Sequence, residues 1–239
     1  MSLIDDLISR HIKRKDFLKK LEPRKSGIIK AVDFKPFITV SREAGSGGKP
    51  IAKLLAKKLG YKFYDKELIE LTAKRAKKRK QLIASLDEKD RGFVEDLVHS
   101  LLNPDYVSEQ TYIKSLCEVV LSIVRKGNCV VLGRGGNFIT QDYGGLHVRI
   151  MAPFLVRSGY TAQYEGYTIY EARERVKKFD KGRKEFIKQY FSKDPSNANY
   201  YDLVVNTTYY NIEQATNTVL GGFYQKFPDW KRHKARIKK

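Results

Sequence analysis

Three glycines and a lysine crowd into Ser41-Arg-Glu-Ala-Gly-Ser-Gly-Gly-Lys-Pro50, between a β-rich run, Phe37-Ile-Thr-Val-Ser41, and a helical pattern. Strand, glycine loop and helix in that order make a phosphate site. Glycines let the backbone approach an anion, free N–H groups at the helix start point at it, and the helix dipole favours negative charge. Lys49 would add an ammonium for the β- and γ-phosphates. Counted back from Gly48-Lys49, however, the full pattern G-x-x-x-x-G-K-[ST] is not met: position 43 is Glu and the hydroxyl position is Pro50. G-x-G-x-x-G fails at Pro50 as well. Spacing alone therefore leaves a plain strand-to-helix turn open beside the phosphate reading. Pro50 offers Mg2+ no hydroxyl, which leaves the ion to Ser46 or to phosphates and water.

Arg134 sits in Leu132-Gly-Arg-Gly-Gly-Asn137, directly after an apolar run. An arginine flanked by glycines at a strand end can grip a phosphate with its planar fork, and the alternative is a structural surface arginine. Arg157 follows a later strand and a proline. Asp180 and Arg183, in Phe179-Asp-Lys-Gly-Arg183, read as the end of one helix and the start of another. Such a segment suits closure over a nucleotide, and equally suits a solvated junction. Asp65 reads as a helix cap. His11, His99, His147 and His233 lie apart, with no Ser-His-Asp or Cys-His arrangement.

These residues need elements to position them. Strands are predicted at 37–41, 62–64, 129–132, 148–152 and 202–206. Helices are predicted at 50–59, 66–80, 86–102, 109–126, 169–178 and 212–225. Pro50 suits a first helical position, and Gly60 a C-terminal cap. In 109–126 the apolar residues Ile113, Leu116, Cys117, Val120, Leu121 and Val124 follow helical spacing. Thr168-Ile-Tyr-Glu171 and Asn211-Ile-Glu-Gln214 are capping boxes. Alternating strands and helices imply an α/β fold: three layers, a parallel sheet of about five strands, and helices on both faces. Ligands in such sheets bind beyond the carboxyl ends of the strands.

Composition narrows the class. The chain has 239 residues, 41% of them hydrophobic, enough for one domain with appendages. No apolar run is long enough for a membrane span, and Met1-Ser-Leu-Ile-Asp-Asp lacks the order of a secretory signal. Two cysteines make neither a disulfide scaffold nor a four-ligand zinc site. A cytoplasmic protein is expected. The net charge of +20 attracts polyanions. It concentrates at the ends: nine Lys/Arg against four acids in residues 1–30, and seven against one in 226–239. A third block is Lys74-Arg-Ala-Lys-Lys-Arg-Lys80. Leu3, Ile4, Leu7, Ile8, His11 and Ile12 suit an amphipathic helix in the first extension. The basic ends read as solvated tails or as docking segments for nucleic acid.

The stretch Ile38-Thr-Val-Ser-Arg-Glu-Ala-Gly-Ser-Gly-Gly-Lys-Pro-Ile-Ala52, followed by Leu59-Gly-Tyr-Lys-Phe-Tyr-Asp65, resembles the opening of the cytidylate kinase-like family. The likeness continues through Val131-Leu-Gly-Arg-Gly-Gly-Asn137, from His147 to Arg157, through Phe179-Asp-Lys-Gly-Arg183, and ends at Tyr201-Asp-Leu-Val-Val-Asn-Thr207. The resemblance implies a P-loop nucleoside monophosphate kinase domain over 37–225, with an NMP-binding insertion about 65–108 and a lid about 158–195. Basic extensions, 1–36 (helical) and 226–239, flank it. It implies phosphoryl transfer from ATP, with Mg2+, to CMP or dCMP. By resemblance, Gly45, Ser46, Gly47, Gly48, Lys49 and Pro50 form the ATP loop, and Arg157 lies near the ATP base or lid. Arg134 holds the acceptor phosphate, Asp65 faces the NMP side, and Asp180 and Arg183 belong to the lid. Lys49, Arg134 and Arg183 are the implied catalytic residues.

The chain departs from the family in three places. Gly45-Ser-Gly-Gly-Lys-Pro50 replaces Gly-Ser-Gly-Lys-Gly-Thr, Gly135 replaces the acid of Gly-Arg-Asp, and Leu71 stands where an arginine is expected. Two rival expectations follow: a kinase for another acceptor, or an impaired kinase fold that binds RNA. Composition and spacing leave the oligomeric state open.

Overall fold

The structure, a computed structural model, describes residues 35–67, 69, 110–228 and 230. The first extension, nearly all of the insertion with its two predicted helices, and most of the basic tail lie outside the described residues.

Among these residues, five parallel strands form one sheet: β1 (Phe37–Arg42), β2 (Lys62–Tyr64), β3 (Cys129–Leu132), β4 (Leu146–Met151) and β5 (Leu203–Asn206). Their order is β2-β3-β1-β4-β5. The expected three-layer α/β architecture is present. β4 starts two residues earlier than the apolar run suggests, because Leu146 pairs with Ile38 of β1.

Side chains alternate between the sheet's two faces. Phe37, Cys129 and Val131 point to one, with α2 (Gln110–Lys126) and the short α3 (Gly136–Ile139). Ile38, Val40, Val130, Leu132, Val148 and Ile150 point to the other, with α1 (Gly48–Leu59) and α6 (Ile212–Lys226). All six apolar positions predicted for α2 are buried. Cys117 and Cys129 are free and buried, and burial pushes both thiols up to about 12.

α1 begins at Gly48, capped by Gly47 in the left-handed region (φ 78°), so Pro50 is third in the helix rather than first. The first turn makes no demand on its N–H, and proline is tolerated there. Gly60 closes the helix as expected, its N–H reaching the Ala56 and Lys57 carbonyls. α4 (Phe154–Glu165) ends at Gly166. α5 (Ile169–Phe191) carries the predicted capping box, as α6 does.

One expectation is corrected. α5 does not end near 178 but runs unbroken through Gly182. A glycine in mid-helix costs only about 1 kcal/mol. Ala172, Val176, Ile187 and Phe191, all buried on one side, hold the helix together across it. Asp180 and Arg183 therefore lie one turn apart on a single rigid rod.

His147 of β4 is buried, with Nδ1 2.7 Å from the Thr39 hydroxyl, and burial pulls its pKa down to about 4. The unfolded chain binds this proton near 6.5, so the neutral ring contributes stability that is complete above pH 6.5 and is lost toward pH 4. The shift corresponds to about 3 kcal/mol. Urea unfolding of His147→Gln should lack that part of the acid decline. A wild-type slope between pH 6.5 and 4 in the variant would refute this source.

Candidate active site

The carboxyl ends of the strands open into one cleft. Its wall includes Gly45, Ser46, Gly47, Gly48, Lys49, Pro50, Asp65, Arg134, Asp180 and Arg183. Ten residues singled out in the sequence thus come together. Arg157 is the exception: it lies behind the loop.

The loop is held from all sides. Gly45 takes φ 73°, and a Cβ there would collide with the Arg157 carbonyl oxygen and lie 2.7 Å from the Thr161 hydroxyl. The Ala44 N–H donates to Asp180 Oδ1 at 2.7 Å. The Ala44 carbonyl accepts from Arg157 Nη1 at 2.8 Å. Arg157 also donates from Nε to the Ala152 carbonyl (2.7 Å) and from Nη1 to Asp180 Oδ2 (2.6 Å). Nε is 3.3 Å from Glu43 Oε2. Arg157 is only 7% exposed, and its Nε and Nη1 donors are committed to the protein. Expected near the ATP base or lid, it braces the loop against Asp180 of the expected lid segment and does not line the cleft.

Glu43, which breaks the glycine pattern as first counted, is a second brace. Oε1 is 3.0 Å from Arg149 Nη2 on β4, and Oε2 accepts from the Ala152 N–H at 3.3 Å. The Ser46 hydroxyl lies 2.9 Å from the Glu43 carbonyl and 3.2 Å from the Ile150 carbonyl. The Thr207 hydroxyl lies 3.0 Å from the Ser46 carbonyl. Ser46, 1% exposed, is turned into the protein, which does not suit the metal role expected of it. Among the described residues no three His, Cys, Asp or Glu side chains converge. The described residues therefore do not fit a Mg2+ ion held by their side chains alone.

The cations face the cleft from three elements. Lys49, in the first turn of α1, is half exposed, with Nζ 3.3 Å from Asp65 Oδ2. Arg134 has φ 53° between Gly133 (78°) and Gly135 (66°). The Gly136 N–H closes this turn on the Gly133 carbonyl at 3.1 Å. Its guanidinium lies 4.8 Å from the Phe186 ring centre. A left-handed non-glycine residue costs of order 1 kcal/mol and points to a constrained site. Arg183 Nη1 donates to the Arg42 carbonyl at 3.3 Å, and Cζ is 5.8 Å from the Phe179 ring centre. Burial lowers the Arg183 guanidinium, opposed by Asp180.

Sequence reasoning missed Arg42, Glu43 and Arg149 as site residues. Arg42, at the end of β1, is pulled down to about 9, first by burial and then by Arg183 and Arg134. Glu67 and Asp65 oppose that shift, so three guanidinium groups and two carboxylates meet at this corner. The available signal was Ser41-Arg-Glu43, a charged pair at the end of the central strand. Such an arrangement can bind phosphate groups and stabilise negative charge as it moves between oxygens.

A model of the cytidylate kinase-like family matches residues 37–209. The cytidylate kinase of Ignicoccus hospitalis is 24% identical over 184 residues, covering 76% of this chain and 95% of that protein. That of Sulfolobus acidocaldarius is 24% identical over 189 residues, covering 79% and 94%. A crystal structure of an uncharacterized protein from Eubacterium ventriosum has a TM-score of 0.63 at 22% identity, covering 78% of this chain and 97% of that one. The last likeness is one of fold. Among the described residues no helix is long and apolar enough to cross a membrane.

Proposed function

The chain belongs to the cytidylate kinase-like family, and from that premise we propose that it transfers the γ-phosphoryl group of ATP to a nucleoside monophosphate, CMP or dCMP, giving CDP or dCDP. The observation that carries the reading is the convergence of the braced glycine loop with Arg42, Arg134 and Arg183 in one cleft.

An acceptor phosphate oxygen attacks the γ-phosphorus, the bond to the β,γ-bridging oxygen breaks, and ADP leaves. The protein supplies alignment and charge rather than covalent chemistry. The loop amides and Lys49 hold the donor phosphates. Arg134 orients the acceptor phosphate, with Asp65 on the same side. Arg183 faces the moving group from α5. ATP enters as its Mg2+ complex, the ion carried by phosphate oxygens and water. Residues 65–108 are proposed as the acceptor-binding insertion, and 158–195, with Asp180, as the lid. Lid closure would exclude water.

The test is a transfer panel: Mg-ATP with each common ribo- and deoxynucleoside monophosphate, and a control without acceptor. CDP or dCDP formation is the expected result. Product from another monophosphate would keep the mechanism and replace the acceptor. No product from folded protein would overturn the reading and favour polyanion binding, whose signature is RNA affinity falling steeply with salt.

A further inference from the structure

The helix start gives the loop a second register. α1 begins at Gly48 with Gly47 as its cap. Taking Gly47 as the second glycine of G-x-x-x-x-G-K-[ST] puts the pattern's first glycine at Arg42, its lysine at Gly48 and its hydroxyl at Lys49. In this register the chain has not merely lost a lysine. An arginine stands where the pattern has glycine, and a glycine stands where it has lysine.

These two positions touch. A Cβ built on Gly48 would collide with the Cβ of Arg42 and lie 2.9 Å from its Cγ. The Arg42 Cβ is fixed by the backbone and cannot swing aside. The Arg42 stem therefore fills the space through which a side chain at 48 would leave the helix. Arg42 Nη1 lies against Gly133, where any side chain would overlap the guanidinium. That places the charge between the glycine loop and the Arg134 turn. Lys49, one residue on from Gly48, is half exposed and pairs with Asp65 at 3.3 Å.

We propose that Arg42 supplies, from the end of β1, the phosphate-neutralising cation that P-loop sites otherwise take from the lysine at the helix start, so that positions 42 and 48 have exchanged side chains. The assignment rests on the phosphotransferase reading above and names the group that faces the transferred phosphoryl in it. It explains why glycine is required at 48: a lysine and an arginine cannot share that space. It also explains why the loop keeps a complete set of braces around an apparently degenerate pattern.

The test is a swap. Arg42→Met keeps the aliphatic stem and removes the charge, and should lose at least about 100-fold in kcat/KM for ATP with the fold intact. Arg42→Gly should lose as much. Gly48→Lys alone should be inactive, its stem meeting Arg42. The double variant Arg42→Gly/Gly48→Lys should recover at least tenfold over Arg42→Gly, because the space is cleared and the lysine takes the pattern's own place. A purely structural arginine predicts no such rescue. Thermal melts and circular dichroism confirm that each protein compared is folded. Arg42→Met within a few-fold of wild type, or a folded double variant no better than Arg42→Gly, overturns the proposal while the kinase reading stands. A wild type that transfers no phosphoryl group to any nucleotide ends that reading and the proposal with it.

Discussion

Arg183→Ala loses about 100- to 1,000-fold in kcat while the protein stays folded. Arg183 lies on α5, one turn beyond Asp180, and its guanidinium faces the cleft. Among the described residues its hydrogen bond is a long one, 3.3 Å to the Arg42 carbonyl, and its ion pair with Asp180 is loose, Nη1 to Oδ1 3.9 Å. Arg157 and Arg42 are like-charged neighbours. Removing Arg183 therefore takes little from the fold and relieves repulsion on Arg42. In the proposed reaction it removes charge that faces the moving phosphoryl group, felt more in the transition state than in the ground state. Arg134→Ala should lose a similar factor in kcat/KM for the acceptor, with more of the effect in KM. Its left-handed backbone makes Arg134→Gly a useful companion, equally inactive but without the conformational cost. Steady-state kinetics with both substrates varied separates the two roles. Near-normal kcat/KM in both alanine variants would overturn the assignment.

Arg157→Met destabilises the folded protein by about 3–5 kcal/mol. The substitution preserves the stem and deletes the fork. Left behind are Glu43 and Asp180 without their shared cation, and the Ala44 and Ala152 carbonyls without a donor. Breaking a buried ion network from one side costs more than the network is worth intact, because the survivors remain desolvated. For a domain of this size, the loss lowers Tm by about 10 °C. Arg157→Lys should rescue little, since an ammonium cannot span Ala44, Ala152 and Asp180 with a planar fork. Urea unfolding gives the free energy, and a double-mutant cycle with Asp180→Asn gives the coupling. A loss below 1 kcal/mol would show that the brace is ornamental.

Much of the fold was legible because its signals are local. Both capping boxes, the Gly60 stop and the apolar face of α2 are decided within a few residues of chain. So were the strands, since a run such as Cys129-Val-Val-Leu132 is buried on both sheet faces and needs no partner to declare itself. Gly182 misled for the converse reason. The helix survives there through Ile187 and Phe191, whose packing no neighbouring residue announces. The site was legible as a set but not role by role. Arg157 looked like a ligand contact because its partner Ala44 lies 113 residues away in sequence. Ser46 looked available because nothing nearby in sequence shows its hydroxyl turned toward Ile150. Arg42 was passed over because the loop was counted from Lys49, the first lysine after the glycines.

The tie between Ala44 and Asp180 has a consequence for the order in which the protein comes into being on the ribosome. Its two ends are 136 residues apart. β1 is made early yet lies at the centre of the sheet, between β3 and β4. Domains made from the N-terminus gain contacts as they emerge. Here the glycine loop leaves the tunnel long before the helix that shapes it. A nascent chain arrested before residue 180 has the whole loop sequence and lacks the carboxylate that takes the Ala44 N–H. The braced form of the loop thus forms only after α5 has emerged.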